Sequence, residues 1–204
     1  MENLNSSLNA PAVPEIAQTK WFNSEPLLYG PLFREPLISE LTEEIYFKYA
    51  NLHFVETRCG PYTKELLRLV PIRGKHKFVL VDVKVHHLKK GDYPAIPGWH
   101  IDCVKHYNND TKDDVHHLFV TGQYCLTRFL KNPIELDIAS DYRISVPREA
   151  EFIEAPSCQF VTFTRNHLHD CQMAKEDETR YLIRITETDI IKPNNQIRKE
   201  LYYG

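Results

Sequence analysis

Residues 77–88 read K-F-V-L-V-D-V-K-V-H-H-L, and their alternation decides the fold class. Along an extended chain Val79, Val81, Val83 and Val85 point one way, and Leu80, Asp82, Lys84 and His86 point the other. A period of two in β-branched residues predicts a strand from Lys77 to Leu88. The stretch from Thr179 to Thr188, T-R-Y-L-I-R-I-T-E-T, alternates in the same way. Tyr181, Ile183 and Ile185 make an apolar face, while Arg180, Leu182, Arg184 and Thr186 share the other. Two arginines on one inward-looking face are costly unless an anion neutralises them, and a carboxylate does so with a bidentate pair.

Between these stretches lie further strand-like runs at His116 to Thr121, Tyr124 to Leu130 and Gln159 to Thr164. Upstream, Ser39 caps an expected helix through about Leu52, with Leu41, Ile45 and Tyr49 on its apolar face and Glu43 and Glu44 in its first turn. A second short helix is expected from Tyr62 to Val70, ending before Pro71. The expectation is a mainly β fold with N-terminal helices packed on one face of a sandwich or barrel. The division expected is a loose polar arm over residues 1–20, one domain over 21–188 with its barrel core at about 76–188, and a C-terminal extension over 189–204.

The 204 residues suffice for one domain with a real core. A formal charge of −3 and a pI of about 6.4 give no support to bulk nucleic-acid binding. No stretch is apolar and long enough to span a membrane, and the N-terminus lacks a signal-peptide pattern. The five cysteines are odd in number and show no CxxC, so a disulfide framework or Cys-rich zinc site is not expected and a reducing cytoplasm is the natural compartment.

The candidate chemistry sits at His100-Ile101-Asp102, with His169 and then Arg180 downstream. Residues i and i+2 of an extended chain face the same way, so His100 and Asp102 can reach one point while Ile101 turns into the core. With a second histidine they can supply ligands to one face of an iron ion and leave other positions open. The HxD pair alone is a weak signal. Three features strengthen it: Pro97-Gly98-Trp99 gives a rigid apolar approach, Asn166-His167-Leu168-His169 follows an apolar strand, and Arg180 stands with ten residues between it and His169.

On these residues the chain resembles the Fe(II)/2-oxoglutarate-dependent dioxygenase superfamily. The stretch Pro97 to Asp102 is similar to the proximal motif of its phytanoyl-hydroxylase-like and related branches, and the likeness covers roughly residues 76–188. The resemblance implies a double-stranded β-helix, a jelly-roll or cupin-like barrel. It implies that His100, Asp102 and His169 bind Fe(II) and that Arg180 pairs with the far carboxylate of 2-oxoglutarate. Oxygen would be the second co-substrate, with succinate and CO2 released as a substrate C–H bond is hydroxylated. Hydroxyls on the strand after the HxD loop often help to hold the co-substrate in this family, which points to Tyr124 or Thr127.

Other readings stay open at this point. The spacing to Arg180 favours His169 over His167 as distal ligand, leaving His167 a hydrogen-bonded structural histidine. Neighbours on a strand face opposite ways, so His86-His87 and His116-His117 read as ordinary strand-end histidines, with His86 able to line the cavity. Arg184 either meets a substrate carboxylate or phosphate, or pairs with Glu187, Asp82 or another acid. Trp99 and Lys84 are further candidates for substrate contact. Cys103 and Cys171 lie near the expected ligands but read as small core residues. A cupin-like enzyme without 2-oxoglutarate would keep the triad and not need Arg180, and a non-catalytic binding protein could use the same barrel. A small-molecule or amino-acid-like substrate is expected, with a peptide or protein side chain next; nucleic acid and membrane are not expected as partners.

Overall fold

The computed structural model describes residues 16–95, 97–102, 114–140 and 143–198. Among them the chain forms β1 (Ile16–Phe22), β2 (Leu28–Leu32), α1 (Ile38–Leu41), β3 (Tyr46–Asn51), α2 (Leu52–Glu56), α3 (Pro61–Leu67), β4 (Phe78–Leu88) and β5 (Val115–Val120). It continues with β6 (Thr127–Leu130), β7 (Ile134–Ala139), β8 (Phe152–Glu154), β9 (Gln159–Thr164), β10 (His169–Cys171), β11 (Glu178–Thr188) and β12 (Gln196–Arg198). The fold is mainly β, and every strand pair is antiparallel.

The two alternating stretches form the centre. β4 pairs with β11 along its full length, from Leu88 opposite Glu178 to Phe78 opposite Thr188. The other edge of β11 takes β5, and the larger sheet runs β12-β3-β4-β11-β5-β9-β2. A smaller sheet runs β10-β6-β8, and β1 pairs with β7. Consecutive segments cross between the two larger layers: β4 and β5 lie in one with His100 bridged to the other between them, and β9, β10 and β11 alternate likewise. Neither sheet closes on itself.

Side-chain parity then sorts the core. Val81, Val83, Val85, Ile183 and Ile185 face α2 and α3, packing with Val55, Tyr62 and Leu66. On the opposite, inner face Leu118, Val120, Val161 and Phe163 meet Phe129 of the smaller sheet. A third cluster joins Phe22, Leu136 and Ile138 to Leu130, Leu168 and Ile101, so Ile101 does turn into the core between His100 and Asp102.

The helix expected from Ser39 through Leu52 does not form. α1 spans only Ile38–Leu41, and Tyr46–Asn51 is strand β3, held between β4 and β12. The register of β3 on β4 shifts between Phe47 and Ala50, and Tyr49 takes a left-handed φ of 47°. That bulge breaks the period of two and leaves Phe47 and Ala50 as the buried pair, which hid the strand from a search for alternation. Residues 16–20 of the expected arm belong to β1, and part of the expected extension is β12; residues 1–15 and 199–204 lie outside the described residues. The second helix is α3, with Pro61 at its first turn, and the strand expected from Tyr124 is confined to Thr127–Leu130.

Candidate active site

The backbone brings His100 and His169 together. They form an antiparallel bridge, with His100 N donating to His169 O and His169 N to His100 O, each at 3.0 Å. Directly opposed residues of such a pair project on the same side, and the two imidazole centroids are 4.5 Å apart. Gly98, at φ 94°, turns the chain into this bridge, a conformation that favours glycine. Its N donates to Asp170 Oδ1 at 3.1 Å and its O accepts from His100 Nδ1 at 2.8 Å. His169 Nδ1 in turn lies 3.1 Å from His167 O. Both rings therefore spend Nδ1 on a backbone carbonyl, which leaves Nε2 as the free lone pair, the tautomer a metal-ligating histidine uses.

Asp102 stands beside them, its Oδ2 3.6 Å from His169 Nε2. That oxygen is buried without a hydrogen bond, whereas Oδ1 accepts from Arg184 Nη1 at 2.5 Å. Burial alone would raise the Asp102 carboxyl, but Arg184, His169, His116 and His100 outweigh it and hold the group well below the usual carboxylate range. Burial pushes the His169 imidazole down to about 4, so at neutral pH the pair is an ionised carboxylate and a neutral ring, the forms that bind metals. As the side chains stand, no group of three or more His, Cys, Asp or Glu among the described residues is arranged to hold an ion. The three side chains are adjacent, but they are not closed around a common point.

A cavity of about 100 Å³ opens in front of these residues, lined by His100, Asp102, His169, Thr127, Lys84 and Arg180 among others. Arg180 is 2% exposed. Its one hydrogen bond among the described residues runs from Nη2 to Thr127 Oγ1 at 3.3 Å, and its Nε is buried without a partner. Burial depresses its guanidinium pKa, and among the described residues no carboxylate lies within salt-bridge distance of it. Arg180 and Thr127, expected to serve one co-substrate, thus lie side by side across the two sheets, and Arg180 is in register with buried His86 on β4.

Other expected site residues are placed differently. Tyr124 is 40% exposed and does not line the cavity; its backbone N donates to Glu178 Oε2 at 3.2 Å in the turn before β6. Trp99 also stays out of the cavity, packing on the Phe22–Leu168 cluster and against the Arg128 guanidinium, 5.5 Å from its ring. Arg184 is no open anion receptor, because Asp102 and Asp82 hold both ends of its fork, the latter at 3.1 Å. Lys84 does line the cavity, and so does Cys171. Cys103 lies outside the described residues, and the other four cysteines are free thiols. His167 is structural: its Nδ1 accepts from Thr164 N at 3.1 Å and its Nε2 donates to Glu25 O at 2.9 Å.

Two residues of the site were not singled out by the motif. His116 stands near the start of β5, as a strand-end histidine would, but it is fully buried on the inner face, its Nδ1 3.0 Å from Thr186 Oγ1 and its Nε2 without a hydrogen-bond partner among the described residues. Burial holds its ring neutral down to about 3, against the pull of Asp102. Asp170 is buried next to His169 and ties Arg128 to the Gly98 turn. The available signal was parity, since His116 shares its face with Leu118 and Val120.

No family model, curated protein or solved structure matches the chain. No helix among the described residues is long and apolar enough to cross a membrane.

Proposed function

We propose that this chain is an Fe(II)- and 2-oxoglutarate-dependent oxygenase that hydroxylates a C–H bond of a small-molecule or amino-acid-like substrate. The observation that carries the reading is Arg180: a buried guanidinium with one long hydrogen bond to a neutral hydroxyl, facing a cavity that His100, His169 and Asp102 also line. A buried cation without a counter-charge is expensive, and a carboxylate entering the cavity would remove that expense. The strand order supports a double-stranded β-helix, since β4-β11-β5-β9 faces the His100 segment, β10, β6 and β8, with the chain crossing between layers at nearly every step.

The donor chemistry fits iron. Two imidazoles offer Nε2, and the unpartnered Asp102 Oδ2 offers one anionic oxygen. His100, His169 and Asp102 would hold the ion, which with 2-oxoglutarate and O2 supplies the oxidising power for hydroxylation while succinate and CO2 leave. The protein's own work is orientation. Arg180 and Thr127 fix the far carboxylate of the co-substrate, about four residues along β11 from the Arg184–Asp102 contact, or roughly 13 Å of strand. Leu118, Leu182 and Phe163 wall the cavity with apolar surface and limit water.

The test is anaerobic addition of Fe(II) and 2-oxoglutarate, read by the visible metal-to-ligand charge-transfer band. Wild type should give the band, Arg180→Ala should need far more 2-oxoglutarate to reach it, and His169→Ala should not give it. Tight metal binding with no band would move the weight to a cupin-like enzyme that uses no 2-oxoglutarate.

A further inference from the structure

Asp102 has two oxygens, and the structure treats them differently. Oδ1 is taken by Arg184 Nη1 at 2.5 Å, while Oδ2, on the side of His169, is buried and bare. The other arm of the same guanidinium, Nη2, donates to Asp82 Oδ2 at 3.1 Å. Asp82 is itself anchored, because its Oδ1 accepts from Tyr49 N at 3.1 Å. That amide is aimed at Asp82 by the left-handed bulge of β3, and Tyr49 O accepts in turn from Asn194 N at 2.9 Å, just before β12. Asp82 and Arg184 are opposite each other in the β4–β11 register, so the pair that holds Asp102 is built on the centre of the larger sheet.

We propose that Arg184, held by Asp82, is the positioning residue that fixes Asp102 as a one-oxygen ligand. The inference rests on the reading of His100, Asp102 and His169 as the metal donors. A carboxylate free to rotate could present either oxygen or chelate with both; a fork that occupies Oδ1 leaves only Oδ2. This also removes a position from the ion's protein ligands and keeps it for co-substrate or oxygen. The planar fork is required for this, since only a guanidinium can span two carboxylates at fixed angles while remaining charged. Outer partners of this kind typically carry a 10- to 100-fold share of metal affinity.

The probe is Co(II), titrated anaerobically without 2-oxoglutarate and read by its d–d absorption, in wild type, Arg184→Gln, Arg184→Lys and Asp82→Asn. We expect one Co(II) per wild-type chain and roughly 10- to 100-fold weaker binding with a changed d–d band in Arg184→Gln. Arg184→Lys, which keeps the charge but not the fork, should recover only part of the affinity, and Asp82→Asn should lose less than Arg184→Gln. Removing Arg184 leaves two carboxylates facing each other, so Arg184→Gln could fail to fold; comparing Asp82→Asn with Asp82→Asn/Arg184→Gln then isolates the arginine with one acid already neutral. Equal affinity and an unchanged band without Arg184 would overturn the inference. So would tighter binding, which would make Arg184 a competitor of the ion. If wild type itself takes up no Co(II), the metal reading of the site fails, and no variant is needed to see it.

Discussion

The two faces of the larger sheet both bury charge, and they treat it in opposite ways. On the helix side Glu187 is fully buried and fully satisfied: its carboxylate accepts from Arg73 N and Gly74 N, each at 2.7 Å, and meets His117 Nε2 at 3.0 Å. Glu44 on the same side accepts from Thr63 N and Thr63 Oγ1, and that hydroxyl continues to Tyr181 OH at 2.6 Å. On the inner face Asp102 Oδ2, His116 Nε2, Arg180 Nε and Arg184 Nε are buried with no partner. Structural polar groups are normally satisfied because an unpaired one costs stability directly. Three of these residues, Asp102, Arg180 and Arg184, line one cavity, which is what the proposed ligand-binding role of this face rests on.

If that contrast is right, removing a charge should have opposite effects on the two faces. Glu187→Ala leaves two backbone amides and the neutral His117 ring without their acceptor, and each buried donor left unsatisfied costs about 1–3 kcal/mol. Arg180→Leu deletes an uncompensated cation and should leave stability unchanged or raise it, while abolishing tight 2-oxoglutarate binding. Urea midpoints of the metal-free protein measure both. A large loss of stability in Arg180→Leu would mean that Arg180 is a structural group after all, and the contrast would collapse.

A smaller effect tests the helix side alone. Burial pushes the His117 imidazole below its ordinary value of 6.5, in spite of Glu187 beside it. Its folded pKa is therefore the lower one. The neutral ring's contribution is present above about 6.5 and is lost as pH falls through that value, because the unfolded chain takes the proton first. One such group gives at most about 1.4 kcal/mol per pH unit. Stability curves at pH 7.5 and 5.5 should converge in slope by that amount in His117→Gln; an unchanged slope would place the acid sensitivity elsewhere.

The same contrast explains what could be read from the sequence. In β4 and β11 no residue interrupts the alternation, so the assignment of Val81, Val83, Ile183 and Ile185 to one face and of Asp82, Lys84, Arg180 and Arg184 to the other carries over unchanged into the structure. In β3 the bulge at Tyr49 erases the period, and Leu41, Ile45 and Tyr49 imitate a helix. β7 does carry the period of two, Ile134, Leu136 and Ile138 against Glu135 and Asp137, but is too short to stand out; in β1 the run Gln18, Thr19 and Lys20 leaves no period, and pairing with β7 makes it a strand. Spacing pointed to His100, Asp102, His169 and Arg180, which the structure brings to one cavity, and the family resemblance offered Tyr124 or Thr127, of which Thr127 lines that cavity. Spacing along one strand could not show that Arg184 is already spoken for by Asp82 and Asp102, because that depends on strands brought together from 82 and 102 residues away.

The finest test concerns Thr127, the one side chain to which Arg180 donates a hydrogen bond among the described residues. A hydroxyl at 3.3 Å from a guanidinium is a weak bond, and the valine side chain has nearly the same shape and suits a strand. Thr127→Val should therefore cost no more than about 1 kcal/mol of stability, the worth of one hydrogen bond. Its diagnostic effect should fall on the ligand. Without the hydroxyl the Arg180 fork loses the contact that sets its rotamer, and a hydrogen bond worth about 1 kcal/mol corresponds to roughly a five-fold weaker 2-oxoglutarate affinity. A titration of the charge-transfer band separates the cases: a shifted midpoint with full final intensity means that Thr127 orients the arginine, whereas an unshifted midpoint reduces Thr127 to a piece of cavity wall and leaves Arg180 to find its anion unaided.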